Sequence, residues 1–230
     1  MSKSRRIKIF RANPTETSSK TWADKMVLPK PSRLFRYIFQ NIQGLPVKPR
    51  ARKYQQIGDA FDETEADIFG MAELNLNLRV MGAASQFNER FRHLRRNNSI
   101  HSCNRHDTST ANILYGGTAQ ITMGSCSHRV LASGADTSGL GRWVWSLFAG
   151  RHNTKLRVIT GYRPNPDSSD RPGSVYSQHE RYLESIHEDR NPRRAFIKDL
   201  QVVLENWKEE GNLFLIGMDA NDNVRTGDVN

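Results

Sequence analysis

Cysteine is scarce: Cys103 and Cys126 are the two in 230 residues. They make no disulfide framework and match no metal-ligand spacing, so they read as reduced core thiols. The histidines, among them His101, His106, His128, His152, His179 and His187, show no His-x-x-x-His spacing, and no metal role is assigned to them. Long apolar runs are missing as well. Nothing approaches the roughly 20 residues that a membrane span needs, and the basic start lacks the apolar block of a secretory signal. The expectation is an intracellular protein, cytosolic or nuclear, with no membrane partner. Acidic residues are the minority, 24 against 34 Lys and Arg, which gives a net charge of +10 and points to an anionic partner. Apolar residues make up only 37% and mean hydropathy is −0.68, so part of the chain is expected to lie outside a core.

That part is the start. Residues 1–34 carry nine basic side chains against Glu16 and Asp24, or +7 of the +10. They mix Lys, Arg, Ser, Thr and Pro without period, which predicts a disordered basic tail. Its functional readings are non-specific phosphate binding and nuclear import; the plain alternative is a solvated extension. Residues 35–230 are long enough for one α/β domain with a sizeable core.

The pattern within the domain is β-α-β at first. A strand over 35–41 ends at Asn41, and a turn follows at Gln43-Gly44-Leu45-Pro46. Tyr54, Ile57, Gly58 and Phe61 mark a helix, and residues 67–72 a short buried strand with Glu73 at its end. A longer helix is expected within 76–95, with Leu76, Val80, Phe87, Phe91 and Leu94 on its apolar face. Arg90, Arg92, Arg95 and Arg96 then read as a solvated or phosphate-facing group near its end. Short strands near 99–104, 117–123, 126–132, 142–149 and 155–163 look like antiparallel hairpins. Helices near 174–188 and 192–210 follow, the second capped by Asn191-Pro192 and stopped by Gly211. The unbroken apolar run from Leu213 to Gly217 reads as a strand buried on both faces, ending at Asp219-Ala220-Asn221. In α/β sheets the carboxyl ends of strands are where ligands meet the protein. Taken singly, each polar residue at a strand end could equally be a turn or a helix cap.

The ordered set Gln40-Asn41-Ile42-Gln43-Gly44-Leu45, Ala72-Glu73-Leu74-Asn75, Tyr162-Arg163-Pro164-Asn165 and Gly217-Met218-Asp219-Ala220-Asn221 resembles the exonuclease-endonuclease-phosphatase superfamily, with its DNase I-like fold. Gly139-Leu140-Gly141-Arg142-Trp143 is similar to a segment of the endonuclease domains of non-LTR retrotransposons. The resemblance covers about residues 35–225. It implies an α/β four-layer sandwich: two packed mixed β-sheets with outer helices. It also implies a Mg²⁺- or Mn²⁺-dependent nuclease that nicks DNA. Glu73 would ligate the metal, supported by Asn41. Asp219 would orient or deprotonate water, Asn221 would hold it or a phosphate oxygen, and Tyr162 would donate to developing charge. Arg142, Arg163 and Asn165 would contact substrate. No obligate protein partner is implied.

The family's Ser-Asp-His segment has no counterpart after His187. The expectation is therefore a domain incomplete at its C-terminus, with crippled cleavage. Two alternatives stay open: a phosphatase of the same fold acting on a lipid or inositol phosphate, and a non-catalytic remnant that binds nucleic acid.

Overall fold

The computed structural model describes residues 28–94, 97–166 and 173–222. Eight strands form two four-stranded sheets. The first has the order β1-β2-β4-β3, from β1 (Tyr37–Asn41), β2 (Ile68–Ala72), β3 (Asn97–Ser102) and β4 (Thr118–Met123). The second has the order β5-β6-β7-β8, from β5 (Val130–Ala135), β6 (Trp143–Ala149), β7 (Lys155–Tyr162) and β8 (Asn212–Asp219). In each sheet one pair is parallel, β1 with β2 and β7 with β8; the remaining pairs are antiparallel. A crossover between parallel neighbours needs a helix. The chain supplies α1 (Arg52–Thr64) for the first pair, and α4 (Val175–Ser185) with α5 (Pro192–Glu209) for the second. The short helices α2 (Phe87–Arg90) and α3 (Gly124–Ser127) complete the set.

Period-2 alternation decides the layers. On β2, Phe69 and Met71 join Tyr54, Ile57 and Phe61 of α1 in the outer core. Ile68 points the other way and packs with Phe148 and Val158 between the sheets. Beyond the second sheet, Trp143 and Ile159 pack against Phe196 and Leu200 of α5. Each such side chain, fully buried, is worth about 1.5–3 kcal/mol. The result is helix, sheet, sheet, helix, the expected α/β four-layer sandwich of two packed mixed sheets. Polar contacts cross the middle: the Tyr37 hydroxyl lies 3.0 Å from Thr160 Oγ1, and Gln120 Nε2 donates to the Val158 carbonyl at 3.0 Å. Tyr37 fits there because Gly217 has no side chain; a Cβ at Gly217 would sit 2.5 Å from the Tyr37 hydroxyl.

Three expectations need correction. No long helix occupies 76–95; a single 3₁₀ turn, Ala83–Ser85, precedes α2. Asn75 and Asn77 tie the start of this stretch to the β3–β4 connection instead, through bonds from their backbone N–H groups to the Gly116 and Asn112 carbonyls. Of the expected apolar face, Leu76, Phe87, Phe91 and Leu94 are buried, but Val80 is exposed, as are Ala83 and Ala84, so no single helical face forms. Arg90 belongs to no solvated group. It is 2% exposed and donates to the carbonyls of Ser85, Pro46 and Val47 and to the Tyr54 hydroxyl. Finally, β8 is an edge strand with β7 as its neighbour, and Leu213 and Ile216 are exposed.

Residues 1–27, Arg95, Arg96 and residues 223–230 lie outside the described residues. Within 28–34, Lys30 reaches the domain: its backbone N–H donates to Glu65 at 2.7 Å and its Nζ lies 2.5 Å from Asp67. Among the described residues no helix is long and apolar enough to cross a membrane.

Candidate active site

Parallel pairing places like ends together. Asn41 is in register with Ala72, and Tyr162 with Asp219. The carboxyl ends of β1, β2, β7 and β8 therefore open on one edge of the sandwich. Asn41 Nδ2 donates to Asp219 Oδ2 at 2.7 Å, joining the two sheets directly. Tyr162 is 3% exposed, and Glu73, Asp219 and Asn221 lie close enough to act on its hydroxyl. Five of the eight expected site residues, Asn41, Glu73, Tyr162, Asp219 and Asn221, thus lie together.

The backbone is bent to make it. Gln43, Glu73, Asn75 and Asn221 all have left-handed conformations, with φ of 51°, 56°, 52° and 47°. Asn tolerates this readily; for Gln and Glu it costs about 1–3 kcal/mol and must be held by surrounding bonds. The turns after β1 and β2 hold each other. Gly44 and Leu45 donate to the carbonyls of Glu73 and Leu74, both at 2.7 Å. Gly44, with φ of 86°, lets the Asn75 side chain approach, since a Cβ there would lie 3.2 Å from Asn75 Nδ2. Asn75 Oδ1 in turn accepts the Gly116 N–H at 2.8 Å. Two Asx turns aim the polar ends: Asn41 Oδ1 accepts the Gln43 N–H at 2.9 Å, and Asp219 Oδ1 accepts the Asn221 N–H at 3.1 Å.

The electrostatics separate the roles. Burial is the first cause that pushes the Tyr162 phenol well above its ordinary range, and the charges of Glu73 and Asp219 push it the same way. Tyr162 is therefore a protonated donor throughout the physiological range. Asp219 is held by donors from Asn41 and Asn221, which leaves a carboxylate of fixed direction.

The three expected substrate residues stand differently. Arg142 is 2% exposed and fully engaged by two carboxylates: Nε and Nη2 donate to Asp136 at 2.6 and 3.0 Å, and Nη1 to Asp199 at 2.8 Å. Burial alone would raise the Asp136 carboxyl, but Arg142 outweighs it and holds that group below the usual range. Arg142 is a structural ion pair, and the expected substrate contact is corrected accordingly. Arg163 is equally buried and pairs with Asp222. Its backbone serves the site: its N–H donates to the Asp219 carbonyl at 2.9 Å, and its carbonyl accepts Asn221 Nδ2 at 2.6 Å. Asn165 is exposed beyond Pro164.

Sequence reasoning missed Asn75, Asp222 and Arg193. One signal was available for Arg193. It lies in the first turn of α5, where a cation opposes the helix dipole, so a carboxylate partner was to be sought.

No family profile and no curated protein matches the chain. Among solved structures it is similar to D. rerio TDP2 complexed with single strand DNA product, at 16% identity and TM-score 0.46, covering 82% of this chain and 61% of that one. It is similar to the 3′ phosphatase NExo from Neisseria bound to product DNA hairpin, at 16% identity and TM-score 0.42, covering 74% and 53%. It is also similar to the human Nocturnin catalytic domain with bound sulfate anion, at 12% identity and TM-score 0.49, covering 82% and 65%. The chain spans less than two thirds of the length of each of these three.

Proposed function

We propose that the chain is a metal-dependent phosphodiesterase of the exonuclease-endonuclease-phosphatase type acting on nucleic acid, with DNA nicking of the retrotransposon-endonuclease kind as its activity. One observation carries the reading. Side chains from the carboxyl ends of four strands in two sheets meet there: Asn41 donates to Asp219 from one sheet to the other, and Glu73, Asp219 and Asn221 lie close enough to Tyr162 to act on its hydroxyl. Strand capping alone gives each such residue a local partner; it does not link residues 178 positions apart.

Among the described residues no group of three or more His, Cys, Asp and Glu side chains could hold a metal ion. The donors at this site are oxygens only: the carboxylates of Glu73 and Asp219 and the amide oxygen of Asn41. That set fits a hydrated Mg²⁺ or Mn²⁺, which is commonly bound through one or two carboxylates and keeps several waters. Glu73 would hold it, with Asn41 Oδ1 beside it. When bound, the ion supplies charge neutralisation at a phosphoryl oxygen and the leaving group.

The chain's own residues supply the rest. Asp219 accepts a proton from a water as its oxygen bonds to phosphorus and the ester P–O bond breaks. Asn41 and Asn221 keep that carboxylate aimed. Tyr162 donates its hydroxyl proton to charge gathering on a phosphoryl oxygen, a contact worth roughly 2.7–4 kcal/mol when well placed. The basic residues of 1–34 add sequence-independent affinity. Deleting 1–33 weakens DNA binding and flattens its salt dependence, because fewer counterions are released.

The test is plasmid nicking by the purified chain with Mg²⁺, with and without chelator. Nicking lost on chelation, and lowered about 10²–10³-fold in Tyr162→Phe, supports the reading. Nicking indifferent to both contradicts it.

A further inference from the structure

We propose that Asp222, clamped by Arg163 and Arg193, is a positioning residue that fixes the direction of the Asn221 amide at the active site. The proposal rests on the functional reading above and adds to it Asp222 and Arg193, which no motif of the resemblance contains.

The geometry is a two-sided grip. Asn221 is left-handed, with φ of 47°, and lies in the turn that follows β8. Arg163, at the exit of β7, holds that turn on both sides of the Asn221–Asp222 peptide. Its backbone carbonyl takes Asn221 Nδ2 at 2.6 Å, and its guanidinium pairs with Asp222 Oδ2. Arg193 comes from the first turn of α5. Its Nη2 lies 2.5 Å from Asp222 Oδ1, and its Nη1 donates to the Pro164 carbonyl at 2.5 Å. So the β7 exit, the start of α5 and the turn after β8 all meet at one carboxylate.

Charge makes the arrangement specific. Arg163 and Arg193 are 2% and 6% exposed, and Asp222 lies between these two buried like charges. Burial and the charge of Arg163 both press the Arg193 guanidinium below its ordinary pKa, and Asp222 opposes them. An amide in place of this carboxylate presents one acceptor and one donor to two donors. One arginine must then turn away, and the grip on the peptide after Asn221 is lost. Asn221 lies close enough to Tyr162 to act on its hydroxyl, so its displacement also disturbs the group that donates in catalysis. A small misplacement of such groups can cost about 10² in rate.

The experiment compares Asp222→Asn, Asp222→Glu and the double variant Asp222→Asn with Arg193→Met in the full chain. Three quantities are read: the thermal midpoint, the side-chain amide signals of Asn221 by ¹⁵N NMR with their hydrogen exchange, and kcat and KM on a DNA duplex with Mg²⁺. The expected result for Asp222→Asn is kcat lowered about 10²-fold with KM little changed, and a shifted, faster-exchanging Asn221 amide. The double variant recovers thermal stability, because one of the facing charges is gone, yet kcat and the amide stay altered. Asp222→Glu regains part of both. An unchanged Asn221 amide and kcat in Asp222→Asn would overturn the proposal. So would a double variant that recovers kcat together with stability, because Asp222 would then serve the fold alone. If the unmodified chain cleaves no DNA, the functional reading falls, and the Asn221 amide by itself decides the positioning claim.

Discussion

Two arginine clusters on the second sheet are built from the same groups in opposite proportion. Around Arg142, one guanidinium lies between two carboxylates, Asp136 and Asp199. Around Asp222, one carboxylate lies between two guanidiniums, Arg163 and Arg193. The first cluster is closed: the Asp136 side chain is 0% exposed, and Arg142 lies 4.6 Å from the Trp143 ring. Asp199 extends it outward to Arg190. The second is open at its carboxylate, which is 27% exposed, beside the turn of Asp219 and Asn221. A buried arginine pair can thus secure a scaffold or aim a site. Its address decides which: the Asp222 carboxylate directly follows Asn221 in the chain, whereas the first cluster meets the site through a backbone bond, the Tyr162 N–H to the Arg142 carbonyl at 2.8 Å.

The contrast can be broken by substitution. Arg142→Met has the largest expected effect on stability. It leaves Asp136 buried without its charge partner, which costs about 3–5 kcal/mol, while the rate per folded molecule is retained. Denaturant unfolding with activity normalised to folded protein measures both. Asp222→Asn costs less, about 1.5–3 kcal/mol, as for a lost charged hydrogen bond, because solvent reaches that side chain; its damage falls on the rate instead. Equal stability losses with equal rates would erase the distinction.

Near neutral pH the smallest effect is a pH dependence centred on the first cluster. His179 is 2% exposed; burial first, and the charge of Arg142 second, push it down to about 3. Its folded-state pKa is depressed, so the unfolded chain takes up a proton that the folded chain refuses. Stability is fully present above about pH 6.5 and falls toward pH 3, by up to about 1.4 kcal/mol per unit. His101, also lowered by burial first, adds a slope of the same sign. His179→Gln is expected to flatten the fall in a urea series run across that range. An unaltered slope would mean that His179 does not stay neutral in the folded chain.

Most of the scaffold was legible because its signals are local. The Asn191 cap with Pro192 appears as expected, with Asn191 Oδ1 accepting the Arg193 N–H at 2.9 Å. Most of the strands and the polar residues at their ends also fall where their spacing puts them; the strand expected over 126–132 instead runs Val130–Ala135, after α3 takes Gly124–Ser127. Asn41, Glu73, Tyr162, Asp219 and Asn221 could be named because strand ends are where α/β sites form. Other features depend on partners distant in sequence, which periodicity does not encode. The stretch 76–94 has helical spacing but forms only a 3₁₀ turn and the short α2, its start tied by the Asn75 and Asn77 N–H groups to the carbonyls of residues 116 and 112. The β8 run reads as doubly buried, yet its exposure depends on having one neighbour, a property of the sheet. Arg142 and Arg163 both look available as basic residues beside strand ends; only their distant carboxylates show that they are not.

The central claim is that residues from two sheets act as one hydrolytic unit. A double-mutant cycle on Glu73→Ala and Asp219→Ala, scored by plasmid nicking with Mg²⁺, tests it most directly. Groups that act together lose their effect together. Each single variant is expected to fall about 10²–10³-fold, and the double variant to fall little further. Losses that simply multiply, or nicking that survives both substitutions, would contradict the account.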